Sequence, residues 1–333
     1  MTSADHRDYP LDRAEVPEAS RERRQPLVTV ASVAGTQRQR VRRLLTALAA
    51  QTIAAEIEVV IVDARPQLGA IEPPDRLRVR ILPGDSLFYG EARAKAASDA
   101  RAEIVAFLED HCYPDPGWAE ALVAAYDGPW ASVGYAVDSA NPRTLSCRIN
   151  YLAQYGQWHS PRRGRADTLP GNNVSYRRVV LVELYSDLEA MLDADFNIHA
   201  DLRRRGLLLA SEPGARVRHE NEESLRDSWR AGFAYARQLA TEQARLGGWR
   251  RWRRLVHAGV ILAAAPLLRL AGLVSASSRS PARLARIVVY LPAILASHLS
   301  SALGESAGYL FGSGAARERL TYWEVDAPRA DEP

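Results

Sequence analysis

The chain has 333 residues, 47% of them hydrophobic and 25% charged. That composition suits a globular α/β domain with an extension and excludes a low-complexity chain. A net charge of +3 leaves no broad basic footprint, so nucleic acid is not expected as a partner. Two cysteines, Cys112 and Cys147, cannot build a disulfide framework and lack the spacing of a zinc site, which favours a reducing, cytoplasmic compartment.

Residues 1–25 are polar and charged and read as a disordered leader. The valine-rich run 26–33 predicts a buried strand, and Gln37 to Ala50 an amphipathic helix. A second apolar strand over 58–64 carries Asp63 near its end, and 77–82 alternates as a third. A helix is predicted over Ala92 to Ala102 and a fourth strand over 104–108, which runs into Glu109, Asp110 and His111. Near-continuous apolar strands alternating with helices imply a mostly parallel sheet covered on both faces, whose ligands bind at the carboxyl ends of strands. Asp63 and the Glu109-Asp110-His111 cluster stand at such ends.

Farther on, a helix is predicted from Trp118, a strand over 130–137 and an irregular stretch over 138–168. Residues 179–192 and 193–206 read as helices, and 207–220 as strand, turn, strand. After a helix over 224–247 come WRRWRR and two apolar stretches, 255–274 and 287–312. The first has the ~20 residues that cross a bilayer and the second is longer, yet each is interrupted, by Pro266 and Arg269 or by His298 and Glu305. Arginines flank both ends of the pair, which favours helices lying in the cytoplasmic leaflet over a spanning hairpin. The expected division is a leader to 25, an α/β domain over 26–222, a helical membrane-associating region over 223–316 and a polar tail over 317–333.

Consecutive acids after an apolar strand can present one carboxylate to a hard cation, which stabilises a departing nucleotide diphosphate, and another to the ribose of that nucleotide. With that cluster, several segments in order resemble the family 2 glycosyltransferases of the GT-A fold. GEARAKAASDARAEIVAFLED is similar to their segment ending in the DXD motif, LPGNNVSYRR to their acceptor-side segment, and DADFNIHADLRRRG to the segment holding their catalytic base. The resemblance implies donor contacts from Asp63, Arg93, Glu109 and Asp110, and acceptor contacts from Gly171, Asn172 and Asn173. It implies a divalent cation, Mn2+ or Mg2+, with Asp110, His111 and His219 as metal ligands. Asp195 takes the place of the base, with Asp193 as the alternative. The implied function is inverting transfer of a sugar from a nucleotide-diphosphate donor to a lipid-linked or cell-envelope glycan acceptor at the cytoplasmic face of the membrane. His111 replaces the last acid of the DXD motif, and Ala64 and Arg65 follow Asp63 where the family has acid and glycine. These departures leave open a degenerate domain that binds a nucleotide sugar or glycan without turnover.

Overall fold

The computed structural model describes residues 25–328, so the expected leader lies, but for its last residue, outside the described residues. Strands β1 (Val28–Ala34) and β2 (Ile57–Asp63) are buried at every position and pair in parallel, with Ala34 opposite Asp63. Helix α1 (Arg38–Ala49) joins them and buries Val41, Leu44, Leu45 and Leu48, the spacing of one helical face. Strand β3 (Arg78–Pro83) extends the sheet beyond β2 as a partly exposed edge. Helix α2 (Tyr89–Ser98) starts three residues earlier than the alanine run suggests, because the Glu91 carboxylate accepts a bond from the Phe88 N–H at 3.0 Å and caps the first turn. It leads to β4 (Ile104–Phe107), which lies parallel to β1 on the other side.

The four parallel strands run in the order β3-β2-β1-β4, so the ends of β2 and β4 share one edge. Past β4 come β5 (Cys112–Pro114), α3 (Trp118–Ala125), β6 (Trp130–Ser139), α4 (Leu145–Gln154) and β7 (Gly164–Arg165). They are followed by β8 (Val174–Arg177), α5 (Arg178–Leu184), α6 (Leu188–Leu192), α7 (Phe196–Arg204) and β9 (Leu208–His219). The sheet continues β4-β8-β6-β9-β5, with β8 antiparallel to both its neighbours and β7 on the flank of β9. Three features differ from the sequence reading. Helix α4 forms inside the stretch read as irregular, capped by the Thr144 hydroxyl. Strand β8 forms in a segment to which the sequence reading assigns no element. The expected strand-turn-strand over 207–220 is one strand: Tyr135 pairs with Glu212 and Ala136 with Arg216, so Pro213, Gly214 and Ala215 bulge out and pairing resumes.

The carboxyl-terminal region is a helical layer of α8 (Leu225–Leu246), α9 (Arg251–Ser277) and α10 (Pro281–Phe311). Glycine lets α10 lie directly on α8, since a Cβ at Gly304 or Gly308 would stand 2.3 Å from the carbonyl oxygen of Phe233 or Arg237. The hydroxyls of Ser300 and Ser306 bond across to the backbone of α8 and α9. Both α9 and α10 are long and apolar enough to cross a membrane, yet only 17% and 33% of their most apolar windows are buried. Helix α9 buries Ala258, Ala265, Leu273 and Ser277, and α10 buries Ile287 and Ile294 and then much of its second half from Ser297 to Tyr309, while Leu267, Leu268, Val288 and Val289 face outward. The segment read as a polar tail folds as α11 (Ala316–Thr321) and a π-helical turn over Tyr322–Asp326, and packs back onto the sheet.

Candidate functional site

The chain turns at Glu109, Asp110 and His111 because the Cys112 N–H bonds back to the Glu109 carbonyl at 3.0 Å and starts β5. Pairing of β5 with β9 sets Cys112 opposite His219 and so brings His219 to the same place. His219 Nε2 lies 3.2 Å, and His111 Nε2 3.7 Å, from Glu109 Oε2, and all three side chains are buried. Ligand atoms of Glu109, His111 and His219 lie within 4.8 Å of one another. Asp110, expected among the ligands, sits one step out, its Oδ1 3.0 Å from His111 Nδ1. An ionised Asp110 makes Nδ1 the protonated nitrogen, so Nε2 turns a lone pair toward Glu109. His219 repeats the device with Asn221 Oδ1 at 3.2 Å, and Asn221 is oriented by donating to Ser139 and to the His219 carbonyl. Two imidazole lone pairs facing a carboxylate repel one another unless a cation lies between them, so the donor set fits a divalent metal.

The loop Gly171-Asn172-Asn173 ties this cluster to Asp195. Asn172 has φ of 60°, a left-handed conformation that asparagine tolerates better than most residues. Its side chain donates to Glu109 Oε1 at 2.8 Å and its backbone N–H to Asp195 Oδ2 at 2.6 Å. Asn173 donates to the other Glu109 oxygen. Arg93, expected at the diphosphate, donates instead to Asp195 Oδ2 at 3.0 Å and to Asn172 Oδ1 at 3.2 Å, with its guanidinium 4.5 Å from the centre of the Phe107 ring. Burial opposes the Arg93 charge, but Asp195 and neighbouring tyrosines hold the guanidinium above its ordinary value. The remaining oxygen of Asp195 accepts from the Tyr235 hydroxyl at 3.0 Å. Burial and then Asp195 push that hydroxyl well above its ordinary range, so it stays a donor.

Asp193 is engaged elsewhere. It accepts from the Gly90 N–H at 2.9 Å and from Arg317 Nε at 2.5 Å, and so binds the start of α2 to α11. Burial raises its carboxyl to about 6, against the opposing pull of Arg317. Asp63 is also occupied: Arg38 binds both its oxygens, at 2.8 and 3.0 Å. Beside it the π-helical turn clasps the end of β1, with Thr36 donating to the Val325 and Asp326 carbonyls at 3.1 Å each and Arg65 paired with Asp326. Tyr235, Asn221, Arg38 and Arg317 are functional neighbours that the sequence reading missed. Nothing local marks them, because each is defined by a partner far away in the chain.

A cavity of about 370 Å³ opens at Gly171 and Asn172 and runs between the catalytic sheet, the helical layer and the π-helical turn. Strand order, the cluster past β4 and the loop to Asp195 together define a GT-A type of nucleotide-sugar transferase fold. Residues 33–188, just under half of the chain, match glycosyl transferase family 2. That match ends before Asp193, Asp195 and His219. No curated protein matches the sequence. Among solved structures, the mannosyltransferase PcManGT from Pyrobaculum calidifontis, in complex with GDP-Man and Mn2+, is similar at 16% identity, over 86% of this chain and 88% of that one, with a TM-score of 0.50. TarS of S. aureus, residues 1–349, is similar at 14% identity over 87% and 91%, with a TM-score of 0.43. At 16% identity the likeness to PcManGT is one of fold.

Proposed function

We propose that the protein transfers a sugar, with inversion at the anomeric carbon, from a nucleotide-diphosphate donor to a hydroxyl acceptor. The observation that carries this reading is the single loop joining two chemistries: Asn172 holds Glu109 through its side chain and Asp195 through its backbone. Glu109, His111 and His219 would hold the divalent cation, which when bound neutralises charge on the departing diphosphate. Imidazole ligands favour manganese over magnesium. Asp110 and Asn221 act by fixing the tautomers of the two histidines. Asp195 takes the proton of the acceptor hydroxyl as its oxygen attacks on the face opposite the leaving group. Arg93 and the Asn172 N–H aim that carboxylate, while Asp193 keeps a structural place on α2 and α11.

The acceptor in this reading is a lipid-linked or cell-envelope glycan, met at the cytoplasmic face of the membrane. Support comes from the outward apolar face of α9 and α10, flanked by Arg250, Arg251, Arg253 and Arg254 at one end and Arg279, Arg283 and Arg286 at the other. A helix of 27 residues is about 40 Å long, so a hairpin standing across the bilayer would put one basic cluster on each side. A hairpin lying along one leaflet gives both clusters headgroups. Residues 26–222 then form the catalytic unit and 223–316 the membrane-facing layer.

A second reading has a specific observation behind it. Arg38 on Asp63 and the clasp at Thr36 occupy the strand ends where the nucleotide would lie, as in a binder without turnover. Binding and hydrolysis of UDP-, GDP- and dTDP-sugars, with Mn2+, with Mg2+ and with chelator, separate the two. Metal-dependent hydrolysis of one donor that is lost in Asp195→Asn is the expected result. Tight donor binding without hydrolysis or transfer under every condition would overturn the enzyme reading.

A further inference from the structure

The cavity that ends at Gly171 and Asn172 has walls from outside the family 2 match. Helix α8 contributes Ser228 and Tyr235, α9 and α10 contribute Arg269 and Ser301, and the π-helical turn contributes Trp323 and Glu324. Five of its lining side chains are aromatic: Tyr155, Trp158, Phe196, Tyr235 and Trp323. Three are carboxylates: Glu222, Glu305 and Glu324. Arg269 is the one guanidinium among the described lining residues, and its charge is matched by Glu305, with a further bond to the His298 carbonyl at 3.3 Å. An anion entering here meets carboxylates and no cation to spare. A pyranose meets flat rings for its C–H face and acceptors for its hydroxyls.

A neighbouring cavity, of about 740 Å³, shows the opposite chemistry. It shares the Arg269–Glu305 pair but is lined by Arg204, Arg205 and Arg253 against the single further acid Asp201. The chain thus builds an anion-suited space on one side of that pair and a hydroxyl-suited space on the side that reaches Asp195. At that end the Tyr235 hydroxyl sits on Asp195 Oδ1, the position an attacking hydroxyl must take.

We propose that the cavity between the helical layer and the loop Gly171-Asn173 holds the acceptor as an uncharged sugar, whose hydroxyl displaces that of Tyr235 from Asp195. The acceptor atom is then a sugar hydroxyl and not the phosphate of a lipid. This inference rests on the transferase reading above and narrows it.

The test uses the full chain with whichever donor it hydrolyses. Methyl α- and β-pyranosides of glucose, galactose, mannose and N-acetylglucosamine are offered beside farnesyl phosphate, and transfer of label from the donor is followed. Labelled disaccharide with at least one glycoside is expected. Ser301→Trp, which fills the cavity, should lower the ratio of transfer to hydrolysis by about tenfold or more. Glu222→Gln should raise the acceptor KM severalfold with little change in kcat, and it guards against misfolding of the first variant. Label on farnesyl phosphate alone, hydrolysis without transfer to any glycoside, or a filled cavity that transfers as before would overturn the inference. An absence of donor hydrolysis sinks the transferase reading itself, and this one with it.

Discussion

At the ends of β2 and β4, Asp63, Glu109, Asp110, His111, Asp195 and His219 are all buried, whereas along α9 and α10 Leu267, Leu268, Val288 and Val289 are 63–72% exposed. Both regions invert the usual sorting of polar and apolar side chains, in opposite directions. Buried charge is costly unless matched, and three of the acids have a clear counterpart: Arg38 for Asp63, Arg93 for Asp195, the two asparagines for Glu109. Exposed apolar residues on the hairpin meet no counterpart within the described chain. The contrast teaches that polar groups are gathered inside at the strand ends while apolar ones are spread outside along the hairpin, the division on which the proposed small polar ligand and apolar surface rest.

The comparison breaks first at Asp195. Asp195→Asn should lower transfer by about 10²–10⁴-fold with donor KM nearly unchanged, as steady-state kinetics would show. A variant with ordinary kcat would mean that the base lies elsewhere. Asp193 sharpens the comparison, because its burial is not fully offset. Its folded value, about 6, lies above the ordinary 3.8, so the folded state holds the proton more tightly. That contribution to stability is present below pH 4 and fades as pH rises through 6. The melting stability of the wild type relative to Asp193→Asn should therefore fall over this window, by about 3 kcal/mol at most.

On the hairpin, Val288→Glu with Val289→Glu should weaken sedimentation with phosphatidylglycerol vesicles by about a hundredfold, from ~1.5 kcal/mol per buried valine. Unchanged binding would place the apolar face against protein instead of lipid. The smallest effect is expected one step out from the metal cluster. Asp110→Asn should cost about 10–100-fold in Mn2+ affinity, read from activity against metal concentration. A total loss would make Asp110 a direct ligand.

Much of the parallel half of the sheet was legible, because β1, β2 and β4 are continuous apolar runs and their acids fall where the chain must turn. The second half was not. Strand β8 has only four residues, and β9 crosses Pro213 and Gly214, which in a sequence mark a turn and here form a bulge. Asp195, His111 and His219 were legible as residue types in family order, and the structure brings each into the site. What could not be read was division of labour. Glu109 joins the two histidines because β5 returns beside β9, and Arg93 turns to Asp195 because α6 lies across its path, with the Leu192 carbonyl taking one of its bonds at 2.8 Å. Those are consequences of pairing between distant strands, to which composition and periodicity are blind.

The clasp at the end of β1 joins Thr36 to Asp326 across 290 positions of sequence. A ribosome adds about 5–20 residues per second, so the roughly hundred residues between His219 and Ala327 take on the order of 5–20 s to appear. Throughout that interval the sheet, the two histidines and Asp63 can already be assembled while their cover is still unmade.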